Sequence, residues 1–468
     1  MSEYVKIIDR TIDTLVVVFS HINTPAGQFS HFQTLTRLPY SFLFVNCPNN
    51  SYYLGGIPGV GKEVRDVCSL LQQMISGFNA KRTVFFGNSM GAFGALLFGL
   101  MLDADVIIAL APEVVPGLKG TSGPSVVGDR ALFDSYYARN VLDLPQANKT
   151  RVKAFFGEKA LGDMLAGLAM GERFPRSCVS LKNCFHSVAP FIHSVHGLDL
   201  FLKDMIEGGR SPRLLDSHGG DLFRFPALIT GLYRGVVNGD STQLTGLLAA
   251  LPAGSSNETR SYAHTAFAKH LIGSGRVDDA AHHLRRAFAI NRFDIETLAL
   301  CLGHRRDEFV GLLTEDYLRH VLEPHRHDLR PAFYEICAIV SCCPEESLRS
   351  FAAGIADYFT AAKHQAHFRY HLGDIHLRRG DLESGEHALR QAIALHSPIA
   401  LFHHRLSMVL ERQGRFGEAA EAADLAVSLD PGNAHLQRRS QAFRVQRENG
   451  VAVISNKPAA VPSVQATP

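Results

Sequence analysis

Six short β-branched or aromatic runs alternate with helical patterns over the first 208 residues, and from about Leu214 onward the strand signal stops and helix periodicity takes over. A chain that carries both periods in separate blocks must build two kinds of architecture. The runs are Thr14 to Phe19, Ser41 to Val45, Thr83 to Phe86, Val106 to Leu110, Val152 to Phe156 and Cys178 to Leu181. Each is nearly continuous in apolar residues, which is how strands covered on both faces read. Amphipathic stretches lie between them, notably Gly61 to Phe78 and Gly91 to Leu102. The expectation is an α/β unit over residues 1–208, with a mostly parallel sheet and helices on both faces, followed by an all-α helical-repeat solenoid over 215–445. With 468 residues, 46% hydrophobic and 20% charged, the chain is long enough for both cores. The interval at about 112–148 is Gly- and Pro-rich, then aromatic and charged, and predicts an excursion over the strand tips that forms a lid.

The repeat is clearest near the end of the chain. Gly380 and Gly414 are 34 residues apart, as are Leu372 and Leu406, and Ala392 and Ala426. The two copies run over 368–401 and 402–436, and the second ends in Asp430-Pro431-Gly432-Asn433. Small residues let two antiparallel helices approach, and proline ends the second helix. This pattern resembles the tetratricopeptide repeat. A third copy at 262–294 places Gly275 at the inter-helix turn, with Ala280, Leu284 and Ala287 behind it, and two degenerate repeats are expected to fill the 105 residues from Gly275 to Gly380. The resemblance implies a surface that binds a protein partner. The tail, 450–468, is rich in Pro, Ala, Val and Ser without periodicity and is expected to be disordered.

Several function classes are disfavoured by composition. The 47 basic and 45 acidic residues are spread along the chain for a net charge of +2, so no field gathers nucleic acid or anionic lipid. The segment Met1-Ser2-Glu3-Tyr4-Val5-Lys6 has no basic stretch leading into an apolar core, and no run is long enough to span a membrane, which predicts a cytoplasmic protein. Eight cysteines are scattered without paired metal knuckles, so free thiols are expected. His282-His283 and His403-His404 are adjacent pairs on helices and point apart, so no metal and no cofactor is expected.

Chemistry concentrates at Gly87-Asn88-Ser89-Met90-Gly91, between the run ending at Phe86 and the helical stretch from Ala92. A strand turning sharply into a helix leaves no room beside the turn, so glycines at 87 and 91 would let Ser89 project outward. The Met90 N–H at the helix start would face a developing oxyanion. A serine needs a base, and the base needs an orienting acid. In the α/β-hydrolase order the acid follows the next-to-last strand and the histidine follows the last, which selects Asp163 and His186. Glu158 is the alternative acid, His193 and His196 are rival histidines, and Asp103 and Asp105 read as caps. The second oxyanion donor is expected from the backbone of Ser20 or His21 after the first strand, and Tyr52, Tyr53 and Asn88 are candidate pocket residues.

On this elbow, strand order and acid–base pair, the N-terminal half resembles the α/β-hydrolase fold. More narrowly it is similar to hydrolase-like proteins of bacterial surface-polysaccharide and accessory-secretion loci. That similarity is carried by Asn50-Ser51-Tyr52-Tyr53-Leu54-Gly55-Gly56-Ile57, by Gly128-Asp129-Arg130 and by Ala111-Pro112. Asn88, Met90 and the Ala-Phe-Gly that follows the elbow depart from the pattern and alter pocket shape without removing a catalytic atom. The resemblance implies a serine hydrolase that cleaves a carboxylic ester or thioester through an acyl-enzyme on Ser89, on a small acyl ester or acylated glycan. An acyltransferase would use the same residues. A non-catalytic interaction protein, with the hydrolase half as a recognition surface, is the alternative of a different class.

Overall fold

The computed structural model describes residues 2–10, 12–114, 118, 130–147, 149–239, 244–251, 254–322, 333–342, 362–431 and 433–449. They form two compact units, one reaching to Asn291 and the other starting at Arg292. In the first unit, seven strands make one sheet: β1 (Val5–Ile8), β2 (Thr14–Phe19), β3 (Ser41–Val45), β4 (Arg82–Asn88), β5 (Val106–Leu110), β6 (Arg151–Gly157) and β7 (Cys178–Leu181). Their order is β1-β3-β2-β4-β5-β6-β7, with β1 antiparallel to β3 and every other pair parallel. All six expected strands are present. The seventh, β1, pairs Val5 with Val45 at the sheet edge.

Alternate residues of the central strands serve two faces, as the pleat requires. Val16, Val18, Phe42, Phe44, Val84, Phe86 and Ile108 pack in one core with Ile192 and Phe201, from the helices Val188–Val195 and Leu198–Glu207. On the other face, Phe19 stacks on Phe98 of the helix Met90–Met101 at 5.7 Å, and Phe156 meets Phe223 edge-on at 5.6 Å. Helices therefore cover both sides of the sheet.

Gly94, in the middle of the buried helix Met90–Met101, lets that helix lie against the sheet. A Cβ there would stand 2.7 Å from Tyr53 Cδ2 and 3.0 Å from Phe19 Cδ1. Tyr53 cannot retreat, since it is fully buried and its hydroxyl donates to the Ser20 carbonyl at 2.7 Å. We expect Gly94→Ala to lose about 1–3 kcal/mol to overpacking, only partly offset by alanine's better helix propensity of about 1 kcal/mol. A lowered melting temperature is the readout, and an unchanged or raised one would contradict the packing described.

The sheet unit extends past the expected boundary at 208–215. Leu181 bridges to Gly219, Gly220 N–H donates to the Ser180 carbonyl at 2.8 Å, and the helix Pro226–Asn238 packs on the helix Leu161–Arg173. These ties bind the first helices after the sheet to it. The helix pair Asn257–Gly273 and Val277–Ile290, with Gly275 at φ 77° between its members, also belongs to this unit.

The second unit is helical throughout its described residues. Its last helices pair as Ala362–Arg379 with Leu382–Leu395 and Ala400–Arg412 with Phe416–Leu429, followed by Ala434–Asn449. Gly380 at φ 83° and Gly414 at φ 77° make the two inter-helix turns, a backbone region that favours glycine. Gly373 lies against Leu389, which a Cβ would approach to 2.5 Å, and Ala419, Ala420, Ala423 and Ala426 are buried. Between the helices Val277–Ile290 and Ala362–Arg379, the helices Ile295–Phe309, Glu315–Leu322 and Phe333–Cys342 are described, while 323–332 and 343–361 lie outside the described residues. The expected disordered tail lies outside the described residues, as does the middle of the expected lid, at 115–117 and 119–129. What is described of the lid includes a helical turn at Arg130–Asp134 and the short helix Tyr136–Asn140. Gly128 and Asp129 of the quoted motif also fall outside the described residues. No described helix is long and apolar enough to cross a membrane.

Candidate active site

Four neighbouring strands, β4 to β7, each deliver one polar side chain just beyond their C-terminal ends, the edge where open parallel sheets build their sites. Ser89 follows β4, Glu113 follows β5, Asp163 follows β6 and His186 follows β7.

At the elbow, Ser89 N–H donates to the Leu110 carbonyl at 2.8 Å, the last step of the β4–β5 ladder. Its own carbonyl accepts from Ala92 and Phe93, the first bonds of the helix. One residue thus serves both elements, at φ 53° and ψ −121°. For a serine this is strained backbone of the kind stored at functional sites. The flanking glycines are required sterically. A Cβ on Gly87 would lie 2.0 Å from the Gly91 carbonyl oxygen, and one on Gly91 would lie 2.2 Å from that of Phe19.

Ser89 Oγ lies 2.8 Å from His186 Nε2, and His186 Nδ1 lies 2.8 Å from Asp163 Oδ2. Ser89 and Asp163 are 4% and 3% exposed, while the His186 side chain keeps 31%. Asp163 sits in the first turn of the helix Leu161–Arg173. The loop carrying His186 is pinned over the end of β6, where Lys159 N–H donates to Cys184 at 2.9 Å and a Cβ on Gly157 would strike the Phe185 carbonyl at 2.1 Å. Burial alone would lower the His186 imidazole. The charge of Asp163, its hydrogen bond and the charge of Glu113 outweigh burial and push it up to about 9.

The other sequence candidates sort clearly. Glu158 is buried, but Oε1 accepts from Ser180 Oγ at 2.9 Å and from Leu222 N–H at 2.8 Å, so it ties β6 to β7 and to the following turn. Desolvation raises its carboxyl. Met90 N–H, at the first helical position, has no hydrogen-bond acceptor among the described residues. The expected second oxyanion donors are both engaged, which corrects that expectation. Ser20 N–H donates to the Val45 carbonyl at 2.9 Å, and His21 N–H donates to Ser30 Oγ at 3.0 Å. Tyr53 is fully buried core, bound to Ser20 and packed edge-on to Phe19 at 5.3 Å. Tyr52 is equally buried, yet its hydroxyl donates to Glu113 Oε2 at 2.9 Å. Asn88 is buried at the end of β4, with its amide oxygen unpartnered among the described residues. Of the rival histidines, His196 bonds Asp204 and Ser211, both at 3.1 Å, away from Ser89. Asp105 accepts from Thr83 N–H at 2.8 Å, next to its strand.

Glu113 was not singled out from the sequence. Its Oε1 stands 3.8 Å from His186 Nε2 and its side chain is fully buried. The available signal was its place just after a parallel strand that lies between the serine's strand and the acid's. Among the described residues, Cys47, Cys68, Cys178, Cys184, Cys301 and Cys342 are free thiols. Burial pushes Cys47 up to about 11 and Cys178 up to about 12, which leaves them poor nucleophiles. The rings of His282 and His283 stand at 86° to one another, and no group of three or more metal-ligating side chains occurs among the described residues.

The tetratricopeptide repeat family matches residues 370–434. No curated protein matches the chain in sequence. Among solved structures, the chain is similar to the capsule O-acetyltransferase of Neisseria meningitidis serogroup A, at 14% identity and a TM-score of 0.35, over 43% of this chain and 90% of that one. It is also similar to the Glycosylation Associate Protein complex from Streptococcus agalactiae, at 13% identity and a TM-score of 0.34, over 43% of this chain and 44% of that one. A thermophilic tetratricopeptide protein of Thermus thermophilus is similar at 17% identity and a TM-score of 0.22, over 40% of this chain and 99% of that one. At scores and identities this low, the likeness implies nothing about activity.

Proposed function

We propose that this chain is an acyl-handling serine enzyme of the α/β-hydrolase type, which cleaves a carboxylic ester or thioester through an acyl-enzyme on Ser89. The observation that carries the reading is the unbroken line from Ser89 Oγ through the His186 imidazole to Asp163, with both contacts at 2.8 Å and the serine on a strained strand-to-helix turn. Ser89 Oγ attacks the acyl carbon as its proton passes to His186 Nε2. The imidazolium returns that proton to the leaving oxygen or sulfur. Asp163 accepts from Nδ1–H, fixing the tautomer and the ring. The Met90 N–H supplies one donor to the oxyanion. Water then releases the acyl group, and an acceptor hydroxyl in place of water would make the same site an acyltransferase. The helical repeats, in this reading, bind a protein partner and direct the enzyme to its substrate.

Labelling with a fluorophosphonate tests the assignment at the serine. Wild type should take up one label, on the peptide that contains Ser89, and Ser89→Ala should take up none. A folded wild type that does not label, or a Ser89→Ala that still does, would sink the reading.

A further inference from the structure

Glu113 reaches the site by an unusual backbone path. Ala111, directly after β5, takes φ 45° and donates its N–H to the Phe155 carbonyl at 2.7 Å, which turns the chain so that Glu113 follows two residues later at the strand tips. The carboxylate is 1% exposed, and a buried carboxylate is costly without donors or an opposite charge. One donor is Tyr52, at 2.9 Å, which its surroundings hold on a strained backbone. Tyr52 and Tyr53 stand in succession at φ 53° and φ 62°, a region that costs bulky residues roughly 1–3 kcal/mol each. The Tyr52 ring is clamped edge-on by Phe93 at 5.9 Å and Phe133 at 5.4 Å. Burial and the Glu113 charge push the Tyr52 hydroxyl well above its ordinary range, so it stays protonated and donates. His186 offers an opposite charge whenever its imidazole is protonated.

We infer that Glu113, fixed by Tyr52, is a positioning residue for the reaction at Ser89: a second carboxylate on the Nε2 side of His186 that, with Asp163 on Nδ1, stabilises the imidazolium formed during acyl transfer. The inference rests on the reading of Ser89, His186 and Asp163 given above. Among the described residues, the groups facing the imidazole are Ser89 Oγ from the turn after β4, Glu113 from the loop after β5 and Asp163 from the helix after β6. Its own loop adds the buried Cys184 thiol, which desolvation holds well above its ordinary range and therefore neutral. Glu113 takes no proton. The Ser89 proton moves to Nε2 as the Oγ–carbon bond forms, and it leaves with the alkoxide or thiolate when the scissile bond breaks. Between those transfers the cation lies between two negative charges. This arrangement makes His186 a stronger base and also keeps it protonated to higher pH.

The test compares wild type with Glu113→Gln in the full chain, using the rate of p-nitrophenyl acetate hydrolysis or of fluorophosphonate labelling across pH, alongside titration of the His186 imidazole by NMR with labelled histidine. The His186 resonance is identified by its loss in His186→Gln. Wild-type rates should be half-maximal near pH 9, since the neutral imidazole is the base. Glu113→Gln should move that midpoint down by about one pH unit or more and lower the high-pH plateau. A folded variant whose imidazole midpoint is unmoved or raised overturns the inference. If the imidazole titration shifts as expected but neither protein labels or turns over, the catalytic reading fails while the coupling of Glu113 to His186 stands. Should Glu113→Gln not fold, Glu113→Asp keeps the charge one methylene further away. Its midpoint should fall by a smaller step, and a midpoint at or above wild type would again overturn the inference.

Discussion

Ser89→Ala should lower kcat on an activated ester by about 10⁵–10⁶-fold, His186→Ala by a similar factor, and the double variant by little more than either alone. The geometry makes the two side chains one device: the hydroxyl is a nucleophile only while Nε2, 2.8 Å away, can take its proton. Neither single loss leaves a substitute nearby. Burial raises the Cys47 thiol to about 11 and holds the Cys184 thiol well above its ordinary range, so neither offers a thiolate. Alanine at position 89 keeps the helix bonds to the residue 89 carbonyl and adds no bulk, so the melting temperature should stay close to wild type. Steady-state kinetics on purified single and double variants reads the effect. Additive losses, or a Ser89→Ala that keeps a hundredth of wild-type turnover, would show that another group carries the chemistry.

What the sequence disclosed and what it concealed divide by the range of the interactions involved. Six of the seven strands were legible because each is a local apolar run, and the elbow was legible because its sterics are confined to five residues. That Asp163 and His186 would come to lie beside Ser89 was legible through chain order, since each follows its strand closely. The edge strand Val5–Ile8 has only four residues and takes its identity from pairing with β3, about forty residues away. The oxyanion donors were misread for the same kind of reason. Whether Ser20 N–H is free depends on Val45, and whether His21 N–H is free depends on the Ser30 hydroxyl, and no local pattern reports either partner. Helical periodicity after 208 likewise says nothing of the bonds that Gly219, Gly220 and Leu222 make back to the sheet. Glu113 was hidden by its setting in a Gly- and Pro-rich segment that reads as loop, although its chain position is set by the end of β5.

Asp163 and Glu158 both follow β6, are both buried and were competitors for one role, and their replacements should fail in opposite ways. Asp163→Asn should cost about 10⁴-fold in kcat with little change in stability, because the amide preserves volume but presents its N–H₂ or a neutral oxygen to Nδ1 and loses the charge that favours the imidazolium. It should also move the pH midpoint down, since the Asp163 charge is the largest influence raising His186. Glu158→Ala should leave kcat within a few-fold of wild type. It would strand the buried Leu222 N–H and the Ser180 hydroxyl, at roughly 1–3 kcal/mol for each unsatisfied group, so the melting temperature should fall. Glu158→Gln retains an acceptor oxygen and should recover most of that stability, separating the bond from the charge. Turnover lost with Glu158→Gln and kept with Asp163→Asn would transfer the acid's role to Glu158, and would require the His186 ring to leave the 2.8 Å contact it makes with Asp163.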